Sequence, residues 1–310
     1  MVREKKPKKI PILFLIYNRA ELTKKVFASI SKYKPDRLFI VADGPKPGHD
    51  KRLCDLARKV TEKVNWKCDV GRLYRTKNLG CGVGVARAID WFFENVSEGI
   101  ILEDDCLPNA SFFKFCEIML AKYRNNKEVA MVSGDNFQEP DKQINDSYYF
   151  SKFNHSWGWA TWKRVWKLFD YNLDIWPKMK RAKFFDKYTS GLVERLYWST
   201  LFDAVYKGKI AAWDYPFTFR VWSSGMKCIL PGTNLVTNVG MGKEASNTKF
   251  FNVTYPAFDM KFPLKHPINT TISFDLDLNE NRSLFHINLF TLAYLKIKFA
   301  LSFKTYPKYA

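Results

Sequence analysis

No two of the six cysteines form a CxxC pair, and no Cys/His spacing suited to zinc occurs. That leaves no redox motif and no structural zinc site to organise the fold. Nucleotide-binding loops of the common kinds are missing too. Gly80-Cys81-Gly82-Val83-Gly84 lacks the GxGxxG spacing after a first strand, and no Gly-Lys-Ser/Thr follows to make a Walker A loop. It reads as a tight loop entering a helix. No RNP-like, KH-like or zinc signature points to nucleic acid. No apolar run reaches the roughly twenty uninterrupted residues that a membrane-spanning helix needs. The closest, residues 284–303, is broken by Lys296 and Lys298. The apolar run 10–16 that follows the basic residues 1–9 is too short for a signal-peptide core, so no cleaved leader is expected.

Acidic residues are also scarce against basic ones, 31 Asp+Glu facing 50 Lys+Arg for a formal net charge of +19. Such a chain is drawn to polyanions, whether nucleic acid, an anionic lipid surface or a phosphorylated substrate. With 310 residues and 46% hydrophobic content the chain can bury a large core, and disulfide staples are unnecessary. Reduced cytoplasmic thiols are the economical expectation. Length alone allows one large domain or two small ones.

What is present alternates in kind. Residues 10–16, 38–42, a short stretch around Leu73, 99–102 and 129–133 are apolar runs expected to be strands. Residues 20–33, 51–64, 83–95 and 109–123, the last capped by Asn109, carry helical periodicity. This is the pattern of an α/β fold with a mainly parallel sheet flanked by helices. Beyond residue 136 the texture changes. An aromatic-rich stretch precedes an expected helix over 183–206, and 231–252 reads as a long polar loop.

Ligands in such sheets bind beyond the carboxyl ends of the strands. Asn18-Arg19, Asp43-Gly44 and Glu103-Asp104-Asp105 all stand at strand carboxyl ends, aiming polar groups at one edge. Three consecutive carboxylates repel by roughly 4 kcal/mol per pair at about 4 Å and an effective dielectric near 20. A divalent cation, Mg²⁺ or Mn²⁺, would offset that repulsion and bridge a diphosphate. The same tripeptide would also serve as a solvated turn capping the next helix. Asp43 suits the imide N–H of uracil, or an ordinary Asp-Gly turn. Arg19 suits a phosphate, or the open surface. Asp214, an acid among apolar neighbours, suits a general base or a buried structural carboxylate. Trp157 and Trp159 suit stacking on a sugar ring, or the core. His155 suits a phosphate, or a satisfied place in an aromatic cluster.

Taken together and in order, these blocks carry a resemblance. Pro11-Ile12-Leu13-Phe14-Leu15-Ile16-Tyr17-Asn18-Arg19 opens it, followed by Asp43 and by Glu103-Asp104-Asp105-Cys106-Leu107-Pro108-Asn109-Ala110-Ser111-Phe112-Phe113. Trp157-Gly158-Trp159, Trp213-Asp214 and Asn238-Val239-Gly240-Met241-Gly242-Lys243-Glu244-Ala245-Ser246-Asn247 complete it. The chain resembles the GT-A class of nucleotide-sugar transferases, and is most similar to the group containing animal N-acetylglucosaminyltransferase I and its bacterial relatives.

The resemblance implies a GT-A, Rossmann-like fold with a C-terminal acceptor-side extension. It implies a nucleotide-sugar half over 10–135 and an acceptor-side half over 136–282 of the same domain, between the basic 1–9 segment and a tail over 283–310. Asp105 would bind Mn²⁺ or Mg²⁺; Glu103 and Asp104 would contact the donor sugar or ribose; Arg19 would meet the ribose-phosphate and Asp43 the uracil. Trp157 and Trp159 would line the donor site. Asp214 would deprotonate the acceptor hydroxyl in an inverting displacement, with Glu103 beside the reacting centre, and the 238–250 loop would close as a lid. The implied activity is transfer of a hexose such as GlcNAc from a UDP-sugar to a glycan or lipid-linked acceptor in surface polysaccharide synthesis. In the animal enzymes a nucleotide-contacting His lies near the helix that here starts about Val83, and relatives often carry His where this chain has Asn247.

Past Arg282 the resemblance ends. The apolar, lysine-bearing tail reads either as an amphipathic helix on the inner face of the cytoplasmic membrane or as a helix packed on the sheet. Competing functions are a sugar-nucleotide nucleotidyltransferase on a related sheet, a catalytically inactive relative, or a polyanion-binding protein.

Overall fold

The structure is a computed structural model that describes residues 9–48, 51–139, 142, 144–182, 184–240, 255–306 and 308–309. Its strands are β1 (Ile12–Ile16), β2 (Arg37–Ala42), β3 (Asp69–Tyr74), β4 (Glu98–Glu103), β5 (Cys106–Pro108), β6 (Val129–Ser133), β7 (Tyr148–Ser151), β8 (Trp159–Trp162), β9 (Lys227–Pro231) and β10 (Val236–Asn238). The longer helices are α1 (Ala20–Tyr33), α2 (Lys51–Val60), α3 (Val85–Asn95) and α4 (Ala110–Tyr123). Three single turns follow, α5 (Lys163–Trp166), α6 (Trp176–Met179) and α7 (Phe184–Tyr188). Then come α8 (Leu192–Tyr206), α9 (Asp214–Ser223), α10 (Phe274–Ser283) and α11 (Leu289–Leu301).

Eight strands form one sheet in the order β3-β2-β1-β4-β8-β6-β9-β7, and β5 pairs antiparallel with β10 beside it. The four strands β3, β2, β1 and β4 are parallel. Every residue of β1 is buried, because helices cover both faces of a sheet built by strand–helix–strand crossovers. Each apolar run expected to be a strand is one. Asn109 caps α4, its Oδ1 accepting from Phe112 N at 3.0 Å.

Register decides what reaches the carboxyl edge. Ile16 pairs with Ala42 and Leu15 with Glu103, so Asn18-Arg19, Asp43 and Glu103 leave the sheet side by side.

The segment after residue 136 completes the same sheet. β8 lies antiparallel between β4 and β6, with Trp159 opposite Ile101 on one side and Ser133 on the other. The parallel arrangement therefore holds in one half of the sheet, and the other half is mixed. The helix expected over 183–206 is two helices. Between them the Glu194 carboxylate accepts from Ser190 N at 2.7 Å and Ser190 Oγ at 2.8 Å, which secures the start of α8. The helix expected from Val83 begins two residues later, after a π-helical turn over Gly80–Gly84.

Helix α10 drives acids into the interior. Asp277 accepts from Ser151 Oγ at 2.6 Å and Lys152 N at 3.1 Å, and Glu280 pairs with His155 Nε2 at 2.8 Å. His155 is thus the satisfied, aromatic-flanked histidine that its surroundings predict. The tail helix α11 packs on α8. Among the described residues no helix is long and apolar enough to cross a membrane. The basic 1–9 segment, save Lys9, and most of the 238–250 loop lie outside the described residues.

Candidate active site

The site is built where β1, β2, β4 and β6 end. β4 finishes at Glu103, and the chain turns through Asp104 and Asp105 into β5. From the next strand over, Arg19 closes on this turn. Its Nη1 donates to Asp105 Oδ2 at 3.0 Å and its Nη2 donates to Asp104 Oδ1. Burial works against the charge on Arg19, but Asp104 and Asp105 beside it outweigh that and raise its pKa. The guanidinium therefore supplies part of the positive charge that three adjacent carboxylates demand.

One cation does not balance the group. Burial, then Asp105 and Asp104, push Glu103 up to about 8, with Asp214 adding to the repulsion and Arg19 opposing it. Asp214 opens helix α9, in the other half of the chain. Its Oδ1 accepts from Tyr215 N at 3.0 Å, while Asn154 Nδ2 donates to its main-chain oxygen at 3.3 Å. Burial raises its pKa as well. Glu103 is therefore within electrostatic reach of Asp105 and Asp104 on its own turn and of Asp214 from a separate stretch of sequence.

A hard divalent ion can be held by as few as one or two carboxylates when phosphate oxygens and water complete its shell. Among the described residues no group of three or more His, Cys, Asp or Glu side chains forms a self-sufficient metal cage. Asp105, side chain 16% exposed, is more open to such an ion than Asp104, at 3%.

Two expectations are corrected. Asp104 cannot touch a donor: it is only 2% exposed, and its oxygens take Arg19 and, at 3.1 Å, Tyr17 N. It is a positioning residue for Arg19. Trp159 is likewise core, 1% exposed and stacked on Trp213 with ring centroids 5.2 Å apart. Strand β8 turns its ring inward, so neither face is free for a sugar. Two residues earlier, outside the strand, Trp157 meets a different set of rings and is half-buried, edge-on to Phe137 at 4.7 Å and close to Tyr255.

Asp43 occupies the expected place with a different set of partners. Its carboxylate accepts from Gly44 N, Leu79 N and Gly80 N at 2.9–3.1 Å, which clasps the entrance to the π-helical turn. An incoming base would have to compete with those bonds. The far side of the turn presses on the later part of the chain. A Cβ at Gly82 would lie 2.3 Å from the Tyr171 hydroxyl and 3.0 Å from the Ala211 carbonyl carbon, so a larger residue would have to displace Tyr171. The Gly80–Gly84 turn thereby bridges Asp43 to the 211–214 segment.

Two residues went unread in the sequence. Asp135, two positions past β6, is fully buried; its Oδ2 accepts from Trp157 N at 2.8 Å and its Oδ1 has no hydrogen-bond partner among the described residues. Burial raises its pKa well above the usual range. The rule that picked out Glu103, an acid just beyond a strand's carboxyl end, also picks out Asp135. Tyr171, pushed up to about 12 by burial, with Cys81 and Asp214 adding to it, carries no such signal.

No protein-family model and no curated protein matches the sequence. Among solved structures, HddC from Yersinia pseudotuberculosis overlaps 55% of this chain and 86% of its own, at 13% identity and a TM-score of 0.32. S. aureus TarS 1-349 overlaps 74% of this chain and 59% of its own, at 9% identity and a TM-score of 0.39. The inositol-1-phosphate CTP transferase from T. maritima overlaps 52% of this chain and 74% of its own, at 13% identity and a TM-score of 0.29. None of these overlaps is close enough to assign a substrate.

Proposed function

We propose that the protein is a divalent-metal-dependent glycosyltransferase that moves a sugar from a UDP-sugar to a hydroxyl of a glycan or lipid-linked acceptor, with inversion. One observation carries this reading. Asp214 from the acceptor-side half lies within electrostatic reach of Glu103 at the end of β4, beside Asp105 and Arg19.

In this reading Asp105 holds Mn²⁺ or Mg²⁺, which when bound would stabilise the charge developing on the departing diphosphate. Arg19 keeps Asp105 oriented, and its remaining N–H groups face the same phosphates. The nucleoside lies towards Asp43 and the clasped turn. Glu103 and Trp157 border the sugar. Asp214, its basicity raised by burial, takes the proton of the acceptor hydroxyl as that oxygen bonds to the anomeric carbon and the diphosphate leaves.

A nucleotidyltransferase would need a Gly-rich, Lys/Arg-bearing loop after the first strand. Here Asn18-Arg19 leads straight into α1, and Arg19 is engaged by carboxylates. Calorimetric titration of UDP and a panel of UDP-sugars, with and without Mn²⁺, on wild type and Asp105→Ala tests the proposal. Metal-dependent binding that the variant loses supports it, and the tightest sugar names the donor. If no nucleotide binds under any metal condition, the transferase reading falls.

A further inference from the structure

Helix α11 turns one face to the domain and leaves the other uncovered. Leu292 is buried, and Leu295 and Phe299 pack partly into the core, making the stripe that meets α8. At about 100° per residue the opposite stripe is Phe290, Tyr294, Ile297 and Leu301. Those four side chains are 88%, 60%, 60% and 69% exposed, and Phe303 just beyond the helix is 98% exposed. A lone exposed apolar residue needs no explanation, but an aligned stripe of them does.

The stripe is held in this orientation from both sides. Asn288 and Thr291 form a capping box at the start of α11. Beyond its end the chain returns to the domain: Tyr306 N donates to Gly208 O at 2.7 Å, and Asn172 and Tyr309 exchange two bonds of 2.9 Å. Lys209 Nζ also donates to the Phe299 carbonyl.

Charge names the occupant. On the helical wheel Lys298 borders the apolar stripe and Lys296 lies on the opposite flank of the helix, nearer the face that meets α8; Lys304 and Lys308 follow, and all four are exposed. No Asp or Glu occurs after Glu280 in the sequence. We infer that this face of α11 docks on an anionic phospholipid surface, its apolar stripe among the acyl-chain ends, with Lys298 beside the stripe and the lysines that follow the helix at the headgroups. A second copy of the chain would bring two sets of like charges together, and lysine is depleted at protein interfaces. Nucleic acid would leave the apolar stripe in water.

Vesicle flotation tests this on the full chain, with vesicles of phosphatidylcholine alone and of phosphatidylcholine and phosphatidylglycerol in equal parts. Wild type should float with the mixed vesicles only, and less as salt rises. Phe290→Asp with Ile297→Asp should lose flotation. Lys296→Gln, Lys298→Gln and Lys304→Gln combined should weaken partitioning by roughly fivefold per lysine removed. These positions are exposed and on, or just past, a helix that packs on α8, so circular dichroism and UDP titration of each variant report folding separately from docking. Absence of flotation, equal flotation on phosphatidylcholine alone, or unchanged flotation of both variants overturns the inference. So does a wild-type dimer in sedimentation that Phe290→Asp with Ile297→Asp converts to monomer.

Discussion

Gly240 lies flat against Asp105. A Cβ built on it would stand 2.6 Å from both Asp105 Cβ and Asp105 Oδ2, and 2.8 Å from Arg19 Nη1. The approach is fixed by Val239 N donating to the Asp105 carbonyl at 2.8 Å, and by Gly240 N donating to Asn238 Oδ1 at 2.9 Å. Gly240→Ala must therefore displace the carboxylate, the guanidinium or the chain itself. The site is half-buried, so the stability cost should stay within about 1–3 kcal/mol. Metal-dependent UDP affinity should fall much further, on the order of 10–100-fold, because small displacements of positioned groups are costly. Titration beside thermal melting separates the two effects, and an unchanged affinity would show that the Asp105–Arg19 pair does not serve the donor.

Asp214→Asn should act on turnover and not on donor binding. The substitution keeps the shape of the side chain and the bond from Tyr215 N, while removing the group that would accept the acceptor's proton. A fall in kcat of about 10²–10⁴-fold is expected, with UDP affinity close to wild type. Steady-state kinetics with the donor identified by titration provide the check. Parallel losses in kcat and UDP affinity would instead make Asp214 a donor-site residue.

The difference between what was legible in the sequence and what was not follows from range. Strands β1, β2, β4 and β6 announce themselves because a strand covered on both faces must be apolar along its whole length, as Ile12–Ile16 is. The polar edge followed from where those runs stop. Orientation within the edge did not. Glu103, Asp104 and Asp105 are consecutive, and only the docking of Arg19 from β1 decides that Asp104 is sealed in while Asp105 stays open. Strand β8 was hidden for a related reason. Its slot between β4 and β6 depends on pairing with residues about 30 to 60 positions away, and a run of tryptophans looks the same as a core strand or a sugar platform.

Asp277 gives the fold a pH dependence of definite sign. Burial pushes it up to about 7, with Glu280 adding to the shift and Ser151 and Lys152 opposing it. The folded chain thus holds this proton more tightly than the unfolded chain does. The resulting stabilisation is complete below about pH 4 and is lost as pH rises through about 7. Asp277→Asn can still accept from Lys152 N but never ionises. The melting temperature of the variant relative to wild type should therefore rise between about pH 5 and about pH 9. A difference that stays constant across that range would mean that Asp277 is already ionised in the fold.

Trp157 and Trp159 stand two residues apart, and truncating them should damage different properties. Trp159 is sealed between the sheet and the ring of Trp213, so Trp159→Ala leaves a cavity and should cost about 3–5 kcal/mol. Trp157 is half-buried at the carboxyl edge, held by its backbone bond to Asp135 and flanked by Phe137 and Tyr255. Removing its ring uncovers part of one face of that cluster, so Trp157→Ala should cost less stability. In a transferase it should also weaken binding of a UDP-sugar while leaving UDP itself nearly unaffected, since only the sugar would meet the indole. Chemical denaturation of both variants, with titrations of UDP and the UDP-sugar on Trp157→Ala, tests the pair. Equal losses for UDP and UDP-sugar would move Trp157 from the sugar to the nucleotide, and no loss for either would return it to the hydrophobic packing of Phe137 and Tyr255.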